Sequence, residues 1–521
     1  MHLSELKIGF TDGEEESRQP NFSQYYYDYN NYVEKSLEPQ IYLVAGRRGT
    51  GKTALSFYLE KEQKCYNHFI TRISYKELTP ASFRKNNQEL RTGSLYQLFR
   101  WLFLLELSKI LLDSGNEILG ILPEYKLLKD LSDKNYEFKN PHKASLISQI
   151  INNGLKVKFG SLAAGTSLGE LELNPGVKGQ LTDQSVVLFY DNLFQIIKPL
   201  VAKAAELDVK FTILLDDIDD HMSSDEESRR ILEDLINAVY GFNGEIRNLH
   251  NGSKILLFIR SDVFNRITIA NKHKILDDHT IILQWDTRSD INSPLLELIV
   301  KRLKTNCGTA FRANEKTEDI LYRLFPGKVT YKQTDGAQRS IDGYTFILRR
   351  THYRPRDIIR YLRFIQEKYP HIKEFSGFAI HGCERVFSDW LKSDIENELA
   401  IHYDQKTIAD LFGIAGRLRA WKFGLKRLMH SYECRNEVPP IEIEAAMIIL
   451  YKFGIVGQYY QSEDSEVYFN FFYHDTDAPY NNPNFFLNDF ILHPGLQSSL
   501  MKGDFYKASQ LYNSKPKADK P

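Results

Sequence analysis

Hydrophobic residues along this chain follow two rhythms. Up to Trp285, nearly unbroken apolar runs recur at Ile41–Ala45, His68–Ser74, Phe211–Leu215, Lys254–Arg260 and His279–Trp285. Runs of that kind are strands buried on both faces. The stretches between them read as helical, Ser94–Leu112 being strongly apolar. Strands alternating with helices predict a parallel sheet joined by crossover helices. After Trp285 the rhythm turns helical, over Pro294–Lys304, Lys316–Leu324 and Thr351–Lys368, the last with Pro355 where a helix begins. Lys406–Phe412 and Ala415–Met429 predict two further helices, and Ile441–Phe453 a third closed by Gly454. Ile455–Tyr460 and Val467–Tyr473 then read as two strands joined by the polar turn QSEDSE. Residues 115–184 are less regular, except that Leu155–Gly160 and Leu168–Leu173 alternate with period two and predict a two-stranded insert.

The first strand runs into Gly46-Arg47-Arg48-Gly49-Thr50-Gly51-Lys52-Thr53 and a helical pattern follows. This is G-x-x-x-x-G-K-[ST], the phosphate loop, in the strand–loop–helix setting it requires. Its glycines let the backbone fold tightly enough to aim N–H groups at phosphate oxygens, and the helix that follows adds its positive end. Lys52 is expected on the β- and γ-phosphates of ATP, and the Thr53 hydroxyl on Mg²⁺. The run FTILLDDIDD supplies the second half of such a site. Asp216, at the strand's carboxyl end, is the expected Mg²⁺ partner, and Asp217 is placed to polarise an attacking water. Asp219 and Asp220 read as a solvated helix start, with support of the metal ligands as the second reading. Arg260 closes the strand KILLFIR, where a polar residue is placed to contact a γ-phosphate.

Composition narrows the field only slightly. The 521 residues imply several domains, and 42% hydrophobic with 26% charged residues is an ordinary globular mix. With Lys+Arg 67 against Asp+Glu 68, no global field draws the chain to nucleic acid or membrane. Cys65, Cys307, Cys383 and Cys434 lie far apart, without the spacing of a zinc site or a disulfide framework. No secretory signal is read at the acidic N-terminus, and Glu106 and Lys109 interrupt the most apolar helix, so a cytoplasmic chain outside the membrane is expected.

GRRGTGKT, ILLDD and FIRSD together resemble the additional-strand P-loop ATPases, in the branch that holds AAA+, origin-recognition-like and STAND proteins. STAND sensor strands often end in Arg, as this one does at Arg260. ILLDDIDD, with DGEEESR upstream, is similar to a family of bacterial P-loop ATPases with a C-terminal winged helix. The resemblance implies an α/β fold: a parallel P-loop ATPase sheet with helices on both faces, a helical lid and a winged-helix-like module. It implies ATP-driven switching, with relatives in replication control and anti-phage defence, and a lid arginine that senses nucleotide; Arg354 and Arg356 are the candidates, Arg356 preferred. The position after Asp216 is Asp217, where the family often has Glu.

On this reading residues 1–286 form the core with its insert at 115–184, 287–395 the lid, 396–505 the winged-helix-like module and 506–521 a disordered tail. A protein effector or further copies of the chain are the expected partners. Duplex DNA is a second candidate, through Arg417, Arg419, Lys422, Lys426 and Arg427 on the predicted helix Ala415–Met429, although Glu463, Asp464 and Glu466 at the wing tip would repel phosphates. A DNA-binding ATPase and a P-loop kinase acting on a small molecule are the competing functions.

Overall fold

The computed structural model describes residues 1–62, 67–74, 94–134, 155–158, 170–173, 183–218, 225–249, 252–332, 338–461, 467–473 and 483–501. Five parallel strands form the first sheet: β1 (Leu43–Gly46), β2 (His68–Ser74), β3 (Lys210–Asp216), β4 (Lys254–Arg260) and β5 (Thr280–Leu283). Their order is β2-β3-β4-β1-β5. β4 therefore separates the strand that enters the phosphate loop from the strand that ends in Asp216. Register sets Gly46 beside Arg260 and Ser74 beside Asp216, so all three site strands end at one edge of the sheet. Leu214, Leu215, Ile255, Leu256, Leu257 and Ile259 are fully buried in β3 and β4. Each such side chain stabilises the fold by about 1.5–3 kcal/mol.

Helices cover both faces. In the sheet's unit they include α1 (Gly13–Ser17), α2 (Lys52–Glu62), α3 (Ser94–Asp113), α4 (Asp183–Glu206) and α5 (Glu226–Leu249). α3 packs against α4 and α5, burying Phe99, Trp101, Phe103 and Leu104 together with the carboxylate of Glu106. The expected insert pairs Leu155–Lys158 antiparallel with Glu170–Leu173; the AAGTS segment between them lies outside the described residues.

The chain divides into two compact units. The sheet unit comprises Gly13–Ser23 and Asp28–Gln284, and the helical unit comprises Met1–Asp12, Gln24–Tyr27 and the chain from Trp285 onward. The backbone thus passes between the units four times. Residues Met1–Asp12, counted with the core in the sequence, are held in the helical unit by backbone groups. The amides of Leu3 and Ser4 donate to the carbonyls of Ile372 (2.7 Å) and Pro370 (3.2 Å), and Leu3, Leu6 and Ile8 are buried.

The helical unit begins with α6 (Pro294–Asn306), α7 (Thr317–Leu324), a hairpin of β6 (Lys328–Lys332) and β7 (Gln338–Asp342), α8 (Gly343–Leu348), α9 (Pro355–Lys368) and α10 (Gly377–Leu399). It ends in α11 (Gln405–Gly416), β8 (Lys422–Phe423), α12 (Leu425–Glu433), α13 (Ile443–Lys452), β9 (Val456–Gln461), β10 (Val467–Asn470), β11 (Asp489–Leu492) and α14 (Pro494–Leu500). These last strands make an antiparallel sheet of order β8-β11-β9-β10, three helices followed by a hairpin in winged-helix manner.

One expected helix does not form. Ala415–Met429 breaks after Gly416: Arg419 takes a left-handed conformation (φ 48°), and Lys422–Phe423 leaves the helical path to pair with Phe490–Ile491. Sheet pairing at a glycine-flanked segment overrides local helix propensity. The five basic residues are consequently spread over a helix end, a turn, a strand and α12.

Candidate functional site

The phosphate loop is built where β1 meets α2. Gly46 has no room for a side chain, since a Cβ would lie 2.8 Å from Thr50 Oγ1 and 3.0 Å from the Leu283 carbonyl. Gly51 adopts φ 103°, which favours glycine, and its carbonyl accepts the Leu55 amide (2.9 Å) as α2 begins. The Thr50 hydroxyl donates to the Arg47 carbonyl at 2.8 Å and braces the loop. Lys52 is almost buried, its Nζ donating to the carbonyls of Gly46 (3.0 Å) and Arg47 (3.3 Å). The lysine thus lies along the inside of the loop, on acceptors weaker than phosphate oxygens.

Across β4, Asp216 ends β3 with its side chain buried. Ser56, one turn into α2 beyond Thr53, places its Oγ 2.7 Å from Asp216 Oδ2 and 2.9 Å from the Thr53 carbonyl, one hydroxyl proton serving one acceptor at a time. Asp217 stands in the left-handed region (φ 64°), a conformation Asp tolerates better than bulky residues and one that turns its carboxylate away from the strand's alternation.

The sequence reading overlooked Arg72. Its guanidinium reaches from β2 to Asp217 Oδ2 (2.8 Å), Asp216 Oδ2 (3.2 Å) and Ser56 Oγ (3.2 Å), and lies 4.0 Å from the centre of the Phe57 ring. Burial works against its charge, but the two carboxylates outweigh that and hold its pKa above the ordinary arginine value. The available signal is an arginine inside the strand candidate HFITRIS, between Thr71 and Ile73.

Arg260 is buried at the end of β4, and its guanidinium grips Asp262 twice (3.0 and 2.6 Å). The two lid candidates differ sharply. Arg354 is completely buried and bonded to Asp357 (2.9 Å), Asp394 (3.0 Å) and Glu398 (3.5 Å); its charge is thereby spent inside the helical unit. Arg356 is partly exposed, with Nη1 on Asp394 (3.3 Å) and Nε on the Thr11 carbonyl (3.5 Å). Asp219 and Asp220 lie outside the described residues, as does the wing-tip segment with Glu463, Asp464 and Glu466.

Of the basic run, Arg417 pairs with Glu437 (2.7 Å) and lies over the Tyr432 ring, and Lys422 pairs with Asp489 (3.0 Å). Arg419, Lys426 and Arg427 are exposed. α13, the helix before the hairpin, opens with Glu442 and Glu444.

Thr53, Asp216 and Asp217 offer hydroxyl and carboxylate oxygens, the hard donors that suit Mg²⁺; Asp216 is buried and the other two are half-buried. A phosphate loop after β1, carboxylates after β3 and an added strand between them define the class: an additional-strand P-loop fold. Residues 293–396, from the start of α6 through most of α10, match the family model of the FunZ-associated C-terminal helical domain. No curated protein sequence matches the chain. Among solved structures it is similar to Cdc6p from Pyrobaculum aerophilum (11% identity, TM-score 0.31, covering 95% of this chain and 98% of that one). It is also similar to the Aeropyrum pernix ORC2 protein in ADPNP–ADP complexes (11%, TM-score 0.34, 96% and 93%) and in its ADP form (11%, 0.29, 92% and 91%). Superpositions that loose are no guide to any residue of this chain. Among the described residues, no helix is long and apolar enough to cross a membrane.

Proposed function

We propose that this protein binds and slowly hydrolyses ATP, and that the nucleotide switches the arrangement of its lid (287–395) and winged-helix-like module (396–505). The observation that carries the reading is Lys52 folded onto the Gly46 and Arg47 carbonyls, with Asp216 ending β3 and Asp217 following it across the added strand. On ATP binding, Lys52 exchanges those carbonyls for β- and γ-phosphate oxygens, and the loop amides from Gly49 to Thr53 close around the phosphates. The Thr53 hydroxyl and the Asp216 carboxylate would hold Mg²⁺, which would supply neutralising charge to the phosphates. Asp217 accepts a hydrogen bond from water and orients it for in-line attack, while Arg72 fixes that carboxylate from behind. Arg260 stands at the strand end nearest the expected γ-phosphate and would trade Asp262 for it. Arg356 would trade Asp394 and the Thr11 carbonyl for the nucleotide as the lid closes.

Phosphate release from ATP by the wild type and by Lys52→Ala, with and without duplex DNA, tests the reading. Turnover in the wild type and its loss in a folded Lys52→Ala are expected. Equal turnover in both proteins would remove the site assignment. A protein trigger is favoured over DNA because the module's third helix opens with two carboxylates and two of the five basic residues are already ion-paired. Turnover that rises with DNA would reverse that preference. The defence setting implied by the resemblance predicts that cells carrying Lys52→Ala lose whatever protection from phage the wild type gives.

A further inference from the structure

We propose that the N-terminal segment Met1–Ser17 is a strap through which the phosphate loop acts on the helical unit, with Gly13 as a positioning residue for Thr53. The inference rests on the ATP reading above and supplies its route of transmission.

The strap is fixed at both ends. Within the helical unit, Gln366 Nε2 donates to the Leu6 carbonyl (2.9 Å), Arg302 Nη1 to the Ile8 carbonyl (3.0 Å) and Arg356 Nε to the Thr11 carbonyl (3.5 Å). Within the sheet unit, Gly13 is pressed against the first turn of α2. A Cβ there would lie 3.0 Å from the Ala54 nitrogen and 3.1 Å from Thr53 Cβ. α1 is pinned along α2, with Glu16 and Ser17 buried and Lys61 donating to the Ser17 carbonyl. Between the last anchor, Thr11, and the contact at Gly13 stands Asp12 alone, a span of at most roughly 7 Å. There is no slack to absorb a displacement.

On the ATP reading the Thr53 hydroxyl would help to hold Mg²⁺. A shift of that turn bears directly on Gly13, and from Gly13 on a segment bonded to α6 and α9 through Arg302, Arg356 and Gln366. The exchange proposed for Arg356 releases Thr11 in the same event. The sensor arginine and the strap are then one device: Arg356 holds the strap when the site is empty and frees it when the site is filled.

The test is backbone hydrogen exchange of the full chain with and without ATP and Mg²⁺, alongside binding of a fluorescent ATP analogue. In the wild type, nucleotide should change exchange in Leu3–Ile8 and in α9. A Gly-Ser-Gly insertion between Asp12 and Gly13 should bind the analogue within about twofold of wild type yet lose that change. Gly13→Val should raise the Mg²⁺ needed for half-maximal analogue binding by about tenfold, with Gly13→Ala between. An insertion variant that keeps the wild-type exchange response would overturn the strap, even if Gly13→Val fails to fold. Wild type that binds ATP without any response in Leu3–Ile8 or α9 overturns the strap alone. Wild type that binds no ATP takes the nucleotide reading with it.

Discussion

Two adjacent carboxylates at the end of a buried strand repel each other unless a cation stands by them, and in this protein Arg72 is that cation. Removing it takes away the guanidinium that bonds both Asp216 and Asp217. Arg72→Gln is expected to cost about 1–3 kcal/mol, less than a fully buried ion pair because the guanidinium keeps some exposure. Millimolar Mg²⁺ should stabilise this variant more than the wild type, since a cation at the carboxylates then relieves repulsion. Thermal melts of both proteins with and without Mg²⁺ would register the difference; equal shifts would mean that the carboxylates do not receive the metal. Asp217→Asn should retain ATP binding and slow phosphate release by at least about tenfold, a typical loss for a group that orients the nucleophile. Turnover at the wild-type rate would move that role elsewhere. Lys52, Thr53 and Asp216 could be put forward as candidates from the sequence because each sits in a contiguous pattern with a local physical reason. Arg72 could not, because its partners lie far along the chain and only the parallel pairing of β2 with β3 brings them together.

At the scale of elements, what could be read followed periodicity. The five core strands are largely apolar runs, and all five appear, within a residue or two of the expected ends. The hairpin β6–β7 and strand β11 carry weaker signals: KVTYK and QRSID alternate with charged residues, and DFIL is only four residues long. The helix expected through Ala415–Met429 failed for the opposite reason, a good local pattern overruled by pairing with β11. Packing between helices also carries a pH signature that no sequence pattern announces. Glu384 on α10 meets Arg350 Nε at 2.9 Å and His381 Nδ1 at 3.3 Å. Burial pushes its pKa up, but Arg350 and then His381 pull it further down, to about 2. Because the folded value lies below the unfolded one, this stability is complete above the ordinary glutamate pKa and is lost as pH falls from about 4.5 toward 2. Urea unfolding at pH 7 should find Glu384→Gln weaker by roughly 2 kcal/mol, and the gap should close near pH 2. A gap that persists at low pH would assign the loss to packing instead.

For the molecule as a whole, the first twelve residues act as part of a unit encoded almost three hundred positions later. They bury Leu3, Leu6 and Ile8 and satisfy polar groups of α6 and α9. Each buried aliphatic side chain is worth about 1.5–3 kcal/mol, and ordering the segment offsets much of that sum. Deleting residues 1–12 should therefore destabilise the helical unit by roughly 2–4 kcal/mol, seen as an earlier unfolding transition. Unchanged melting would show that the segment rides on the unit without supporting it. The parallel sheet and its loop were legible at this scale because consecutive elements stay in one unit. The N-terminal exchange was not, since nothing local in MHLSELKIGF says which distant helices will cover it.

The fourfold passage of the chain between units also bears on descent. A gene segment encoding residues from Trp285 onward, moved onto another P-loop core, would arrive without the first dozen residues that complete its own packing, leaving the carbonyl of Ile372 and the side chains of Arg302 and Gln366 without their partners from that segment. The coding stretches for Met1–Asp12 and for the chain from Trp285 onward are therefore bound to be inherited together, and a substitution in one is free to persist only if the other accommodates it.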